Sequence, residues 1–226
     1  MKLAWQQGAD GLETDIHLSQ DGRIVVMHDY DTKRVSGVSN KIVASTWDQL
    51  KGLDIGQWKS ARWAGEKIPT LDSLLATVPE GKCILIEIKV HAEILPALEK
   101  TMTASGQKPA QMRIITFYLD TAQAAKKHFP KQQVYWLASY AKDKKSGQLP
   151  DIDDLIRKAK EAKLDGLDVD WKFPINAAFV QKVHAAGLQL HVWTVDDAEV
   201  ATRLEAAGVD SITTNRPEFL RARLKK

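Results

Sequence analysis

The sequence predicts an α/β fold of the (β/α)8-barrel type, on three observations. The hydrophobic period switches repeatedly between two and about 3.6, so short strands alternate with helices. Capping residues and glycines fall at the switches. No linker or shift of composition interrupts the 226 residues, which are read as one domain, 1–226. An α/β barrel commonly fills such a length as a single unit.

Taken in order, the strands are expected at Gly11–Leu18, Ile24–His28, Cys83–Lys89, Arg113–Phe117, Gln133–Ala138, Gly166–Asp170, Leu188–Thr194 and Ser211–Thr214. Between them the spacing predicts helices over Leu71–Thr77, Ala92–Ala104, Thr121–His128, Ile152–Ala162, Asn176–Ala186, Ala198–Ala207 and Glu218–Leu224. Gly187 and Gly208 each follow a helix, where a left-handed stop is expected. Asp120-Thr121, Asp151 and Asn176 stand at N-cap positions. Asp21-Gly22 is a hairpin signal joining the first two strands, which makes Ile24–His28 an excursion from the barrel. Seven strand–helix units remain where such alternation normally closes as eight. The chain also opens inside a helical pattern at Leu3, Ala4 and Trp5, so the barrel is expected to lack its first strand.

Composition narrows the function class. The 32 basic and 29 acidic residues leave a formal charge of +3, too balanced to argue for nucleic acid. The basic run Lys142 to Lys145 reads as a solvated turn, and Arg221, Arg223, Lys225 and Lys226 as cations suited to a helix C-terminus. The single cysteine, Cys83, excludes an internal disulfide framework. No segment approaches the ~20 apolar residues of a membrane span. Residues 1–8 carry neither a basic n-region nor an apolar core, which makes the cytoplasm the default expectation.

Chemistry concentrates in three segments. In Gly11-Leu12-Glu13-Thr14-Asp15-Ile16, residues two apart share a strand face, so Glu13 and Asp15 point together and inward. Two ionised carboxylates held this close repel unless a cation or protons relieve them. Hard oxygen ligands of this kind suit Mg2+ or Ca2+. In Ile84-Leu85-Ile86-Glu87-Ile88-Lys89, an otherwise apolar run reads as a central strand, with Glu87 and Lys89 on one face. They form either an internal ion pair or a metal ligand beside a phosphate contact. Val25-Val26-Met27-His28-Asp29 ends an apolar strand in an imidazole, which titrates near neutral pH and can carry protons.

Together these segments resemble the signature of the glycerophosphodiester phosphodiesterases. Leu12-Glu13-Thr14-Asp15, Ser19-Gln20-Asp21-Gly22 and Val25-Val26-Met27-His28-Asp29 follow in order and end at Arg34. Ile68-Pro69-Thr70-Leu71, Ile86-Glu87-Ile88-Lys89, Thr116-Phe117, Val192-Trp193-Thr194-Val195 and Thr213-Thr214-Asn215-Arg216-Pro217 extend the likeness over nearly the whole chain. The resemblance implies a phospholipase-C-like phosphodiesterase barrel with a small lid over about 30–64. It makes Glu13, Asp15 and Glu87 the ligands of a divalent cation, Mg2+ or Ca2+. His28 becomes a catalytic histidine, Lys89 a phosphate contact and Trp193 a wall of the substrate pocket. The implied reaction releases sn-glycerol 3-phosphate and an alcohol from a small-molecule diester.

The family's opening His-Arg-Gly and the following Pro-Glu-Asn-Thr do not occur in the sequence. Turnover of the chain as it stands is therefore expected to be impaired. An alternative is a catalytically inactive metal-binding barrel that binds glycerophosphodiesters or anions. Among the other histidines, His17 shares the parity of Glu13 and Asp15 but lies by the turn. His191 reads as core, and His91, His128 and His184 as surface. Asp168 and Asp170 share a face and either supply polar walls to the pocket or, the preferred reading, serve internal hydrogen bonding. Trp47, Trp58 and Trp63 either edge the pocket or staple the excursion.

Overall fold

The computed structural model describes residues 2–224, so Lys225 and Lys226 lie outside the described residues. By density of contacts the chain divides into two compact units. One runs from Glu13 to Met112; the other joins the residues up to Leu12 with those from Arg113 onward.

In the Glu13–Met112 unit the strand order is β2-β1-β3. β1 (Gly11–Leu18) turns back through Asp21-Gly22 to pair antiparallel with β2 (Ile24–Val26), with His17 opposite Val25. Gly22 takes the left-handed conformation at φ +80 that such a turn requires. The hairpin reading holds. β1 alternates buried and part-exposed residues from Gly11 to Ile16, which is the period-two pattern the sequence carries. β3 (Cys83–Ile88) is buried at every position after the first, as its apolar run requires.

Beyond His28 the chain enters an irregular excursion holding α2 (Lys33–Ser36) and α3 (Trp47–Leu50). Its small core gathers Val35, Ile42 and Leu50 on Val25, Met27 and Ile68, with Trp47 packed alongside. A bridge between Val25 and Thr70 returns the chain to β2 before α4 (Leu71–Leu75). α5 (Leu95–Ala104) completes the unit's helices, burying Leu95, Leu98 and Met102 on one face.

The second unit begins with α1 (Lys2–Gln6) and resumes at β4 (Met112–Thr116). Its strands follow chain order, β4-β5-β6-β7-β8, and pair parallel throughout. They are β5 (Gln133–Ala138), β6 (Gly166–Asp170), β7 (Gln189–Trp193) and β8 (Ser211–Ile212). The crossovers are α6 (Leu119–His128), α7 (Ile152–Glu161), α8 (Ala177–Ala185) and α9 (Ala198–Ala207), with α10 (Pro217–Leu224) last. Parallel strands joined by helices are the βαβ pattern the sequence predicts. Gly166 has no room for a side chain, since a Cβ there would lie 2.3 Å from the Gln189 carbonyl oxygen.

Local signals mostly hold and sometimes miss. Asp151 and Asn176 cap α7 and α8 through their side chains, and Gly208 ends α9 in the left-handed region. Asp120 does not cap. α6 starts at Leu119 after Tyr118, and the Asp120 carboxylate instead accepts the Thr121 N–H from within the first turn. Arg221 serves Asp10 rather than only the helix end, and Arg223 donates to the Phe219 carbonyl. Lys144 and Lys145 lie in an exposed turn ordered by the Asp143 carboxylate, as a solvated loop would be.

Candidate metal and phosphodiester site

Backbone bonds set the register of the acidic cluster. Met27 N–H donates to the Asp15 carbonyl, and Lys89 N–H to the Ile16 carbonyl. These bonds bring the end of β3 and the approach to His28 alongside β1. Glu13, Asp15 and Glu87 then each offer a carboxylate oxygen, and the three oxygens lie within 4.8 Å of one another. The strand parity read from the sequence and the convergence of β1 with β3 are both realised. This donor set can hold a divalent ion: three hard oxygens, anionic, inward and close.

Lys89 occupies the same cluster. Its Nζ lies 2.8 Å from Glu87 Oε1 and 3.3 Å from Asp15 Oδ1. The internal ion pair considered from the sequence is thus present, and it reaches Asp15 as well. The electrostatics fit a cation-hungry pocket. Burial pushes the Glu87 carboxyl above its ordinary value, more than the Lys89 hydrogen bond and charge pull it down. Burial tends to lower Lys89, yet the bond and charge of Glu87 together with Asp15 outweigh it and hold the ammonium high. The four groups form a net anionic cluster with one internal counter-charge, and added positive charge favours the ionised acids.

His28 stands at the rim, with a side chain 70% exposed. Its Nδ1 is 2.9 Å from Asp29 Oδ1. Arg34 grips the same carboxylate, with Nε 2.6 Å from Oδ2 and a terminal nitrogen 3.2 Å from Oδ1. The Arg34 hydrogen bond, with a smaller contribution from His28, holds the Asp29 carboxyl down at about 2 against the opposing effect of burial. Asp29 and Arg34 carry no assigned role in the sequence reading beyond marking the signature. An acid followed five residues later by an arginine across an irregular loop gave no periodic signal to find them.

His17 is fully buried, packs edge-on to Tyr30 at 5.1 Å, and is pushed down to about 4, mainly by burial. In the other unit, His191 is buried against Tyr135 at 4.2 Å and bonded to the Ser211 hydroxyl, as core rather than site. His91, His128 and His184 are exposed, as expected. Trp193 donates its indole N–H to the Asp168 carbonyl at 3.1 Å and meets Phe117 edge to face at 5.7 Å. Asp170 accepts the Lys172 N–H at 3.0 Å, a local bond in the exposed turn after β6. Trp47 belongs to the excursion's core, while Trp58 lies on its surface beneath Arg34.

An α/β fold with inward carboxylates at the ends of neighbouring strands offers a donor set that a hard divalent cation could occupy. The profile of the glycerophosphoryl diester phosphodiesterase family matches residues 1–219, and the chain belongs to that family. A glycerophosphodiester phosphodiesterase of Caldanaerobacter subterraneus subsp. tengcongensis is 29% identical over 222 residues, covering 97% of this chain and 87% of its own length. Among solved structures, a glycerophosphodiester phosphodiesterase of Parabacteroides distasonis is 28% identical with a TM-score of 0.80, covering 99% of this chain and 87% of its own. An Oleispira antarctica phosphodiesterase in complex with the product sn-glycerol-3-phosphate shares the fold at a TM-score of 0.87 and 23% identity, covering 99% of this chain and 88% of that one. The barrel-type fold expected from the sequence is the one shared with these proteins. Among the described residues no helix is long and apolar enough to cross a membrane.

Proposed function

We propose that this chain hydrolyses glycerophosphodiesters to sn-glycerol 3-phosphate and an alcohol, with Glu13, Asp15 and Glu87 holding a divalent cation, Mg2+ or Ca2+. The observation that carries the proposal is the convergence of those three carboxylate oxygens within 4.8 Å in a member of this family. A cation bound there polarises phosphoryl oxygens and offsets the charge that develops as the diester is cleaved.

The chain's own groups do the rest. Lys89 balances Glu87 and Asp15 electrostatically and offers an ammonium beside them for a substrate phosphate. His28, at the solvent-facing rim, holds or accepts a proton at Nε2 for the nucleophile or the departing alcohol. Trp193 is assigned to the substrate's glycerol or head group on the family resemblance alone, and Trp193→Ala tests it through a raised KM with kcat unchanged.

Calorimetric titration with Mg2+ and Ca2+, alongside an assay of sn-glycerol 3-phosphate release, tests the proposal. Glu87→Ala is expected to lose both the cation-linked rise in melting temperature and hydrolysis. An unchanged melting shift would remove Glu87 from the site.

A further inference from the structure

The residue named for proton transfer is the most exposed member of the site, and an exposed imidazole left to itself rotates among rotamers and exchanges tautomers. Here it is anchored. His28 Nδ1 meets Asp29 Oδ1 at 2.9 Å. Asp29 is an ionised, acceptor-only partner, so Nδ1 must carry the hydrogen, and Nε2 of the neutral ring is left bare. Arg34 then forks onto Asp29 through Nε and a terminal nitrogen, the bidentate arrangement that only guanidinium supplies. Its guanidinium carbon lies 4.8 Å over the Trp58 ring.

Trp58 is itself held. Its indole N–H donates to the Ile55 carbonyl at 2.8 Å. The Asp54 carboxylate ties that loop by accepting the backbone N–H groups of Gly56, Gln57 and Gly65 at 2.8, 3.0 and 2.6 Å. At the crossing, a Cβ on Gly56 would stand 1.8 Å from the Trp63 carbonyl oxygen, so the chain packs there backbone to backbone. A continuous series of contacts thus runs from the ordered excursion to one ring nitrogen.

We propose that Asp29, Arg34 and Trp58 are positioning residues that fix the tautomer and direction of the His28 ring, so that the excursion over 30–64 serves the proton-transfer group. The proposal rests on the reading of His28 given above and extends it to residues that touch neither cation nor phosphate. Stability is not the reason for the device. Solvent-exposed ion pairs contribute little to folding. Their value here is orientation.

The test is the 15N NMR signal of the His28 ring, identified by its loss in His28→Gln, at a pH about two units above the ordinary imidazole value of about 6.5. The native ring is expected to be protonated at Nδ1. Asp29→Ala should release it to a mixture with the Nε2-protonated form, with the melting temperature nearly unmoved. Arg34→Ala and Trp58→Ala should do so less, and Trp58→Phe, which keeps an aromatic face under the guanidinium, should restore the native signal. In turnover, Asp29→Ala should lower kcat about tenfold with KM unchanged, a fraction of the ~10^2–10^4 that acid–base groups provide. A native ring protonated at Nε2, or a tautomer that Asp29→Ala does not change, overturns the relay alone. Unchanged hydrolysis in His28→Gln overturns the catalytic reading of His28 and with it the relay's purpose.

Discussion

Two strands of this protein carry the same sequence signature, an acid, one residue, and another acid, and the fold uses them differently. On β1, Glu13 and Asp15 face inward and meet Glu87 from β3 together with Lys89. On β6, Asp168 and Asp170 also share a face. There the Asp170 carboxylate accepts the Lys172 N–H, with Lys172 Nζ only at 4.0 Å, and the neighbouring strand β7 supplies His191 and Trp193 rather than a third acid. Register puts Asp168 beside His191 and Asp170 beside Trp193. Parity on one strand is therefore not a site. What makes one is a neighbouring strand that delivers a complementary group at the same level. β3 and the residue after it supply that as the Glu87 carboxylate and the Lys89 ammonium, whereas β7 offers only an imidazole and an indole.

The comparison is sharpened most by removing the counter-charge from the first region. Lys89→Met leaves Glu87 and Asp15 buried without their ammonium, and breaking such a pair costs roughly 3–5 kcal/mol. With a chelator present, chemical denaturation should show a loss of that order, and Mg2+ or Ca2+ should restore most of it. If Lys89→Met were as stable as the native protein without cations, the cluster would not be electrostatically strained and the comparison would fail.

In the second region the His191 imidazole is buried, and acid should act on it in a defined window. Burial, aided by the positive charge of Arg113 and opposed by Asp210, pushes His191 down from 6.5 to about 4. Between those values the unfolded chain binds the proton and the folded chain does not. The stability contributed by neutral His191 is thus whole above pH 6.5, falls as pH drops, and is lost once pH reaches about 4. A shift of this size corresponds to about 3 kcal/mol. His191→Leu removes this dependence, so the native-minus-variant stability difference should fall by about 3 kcal/mol between pH 6.5 and pH 4, a result read from denaturation curves at several pH values. His17, lowered similarly, remains in both proteins and cancels from the difference.

The smallest effect expected is that of Asp170→Asn. An amide can still accept the Lys172 N–H through its oxygen, so stability should move by less than about 0.5 kcal/mol. Cation binding should not change. Weakened Mg2+ or Ca2+ binding in this variant would mean that the β6 acids belong to the ion site after all.

Much of this was legible because it is periodic. Gly11–Leu18 and Gln133–Ala138 stand as strands over the expected residues, and Glu13, Asp15 and Glu87 share the interior because strand parity fixes a side chain's direction. The hairpin at Asp21-Gly22 was legible from turn chemistry alone. What escaped has no period. α2 and α3 are four residues each, too short to show a helical repeat, and are held by the small core of Val35, Ile42 and Leu50. The reach of Lys89 to Asp15 depends on how β3 lies against β1, which no single segment encodes. Asp29 and Arg34 meet across an irregular turn, and Asp120 reads as a cap although α6 starts just before it.

The central claim is that three carboxylates from two strands share one divalent cation. Isothermal titration of Mg2+ and of Ca2+ into the native chain and into Glu13→Gln, Asp15→Asn and Glu87→Gln tests it directly. One ion per native chain is expected, with each substitution weakening binding by about tenfold or more, the scale on which even supporting groups at metal sites act. Native-like affinity in Glu87→Gln, or no binding by the native chain, would contradict it.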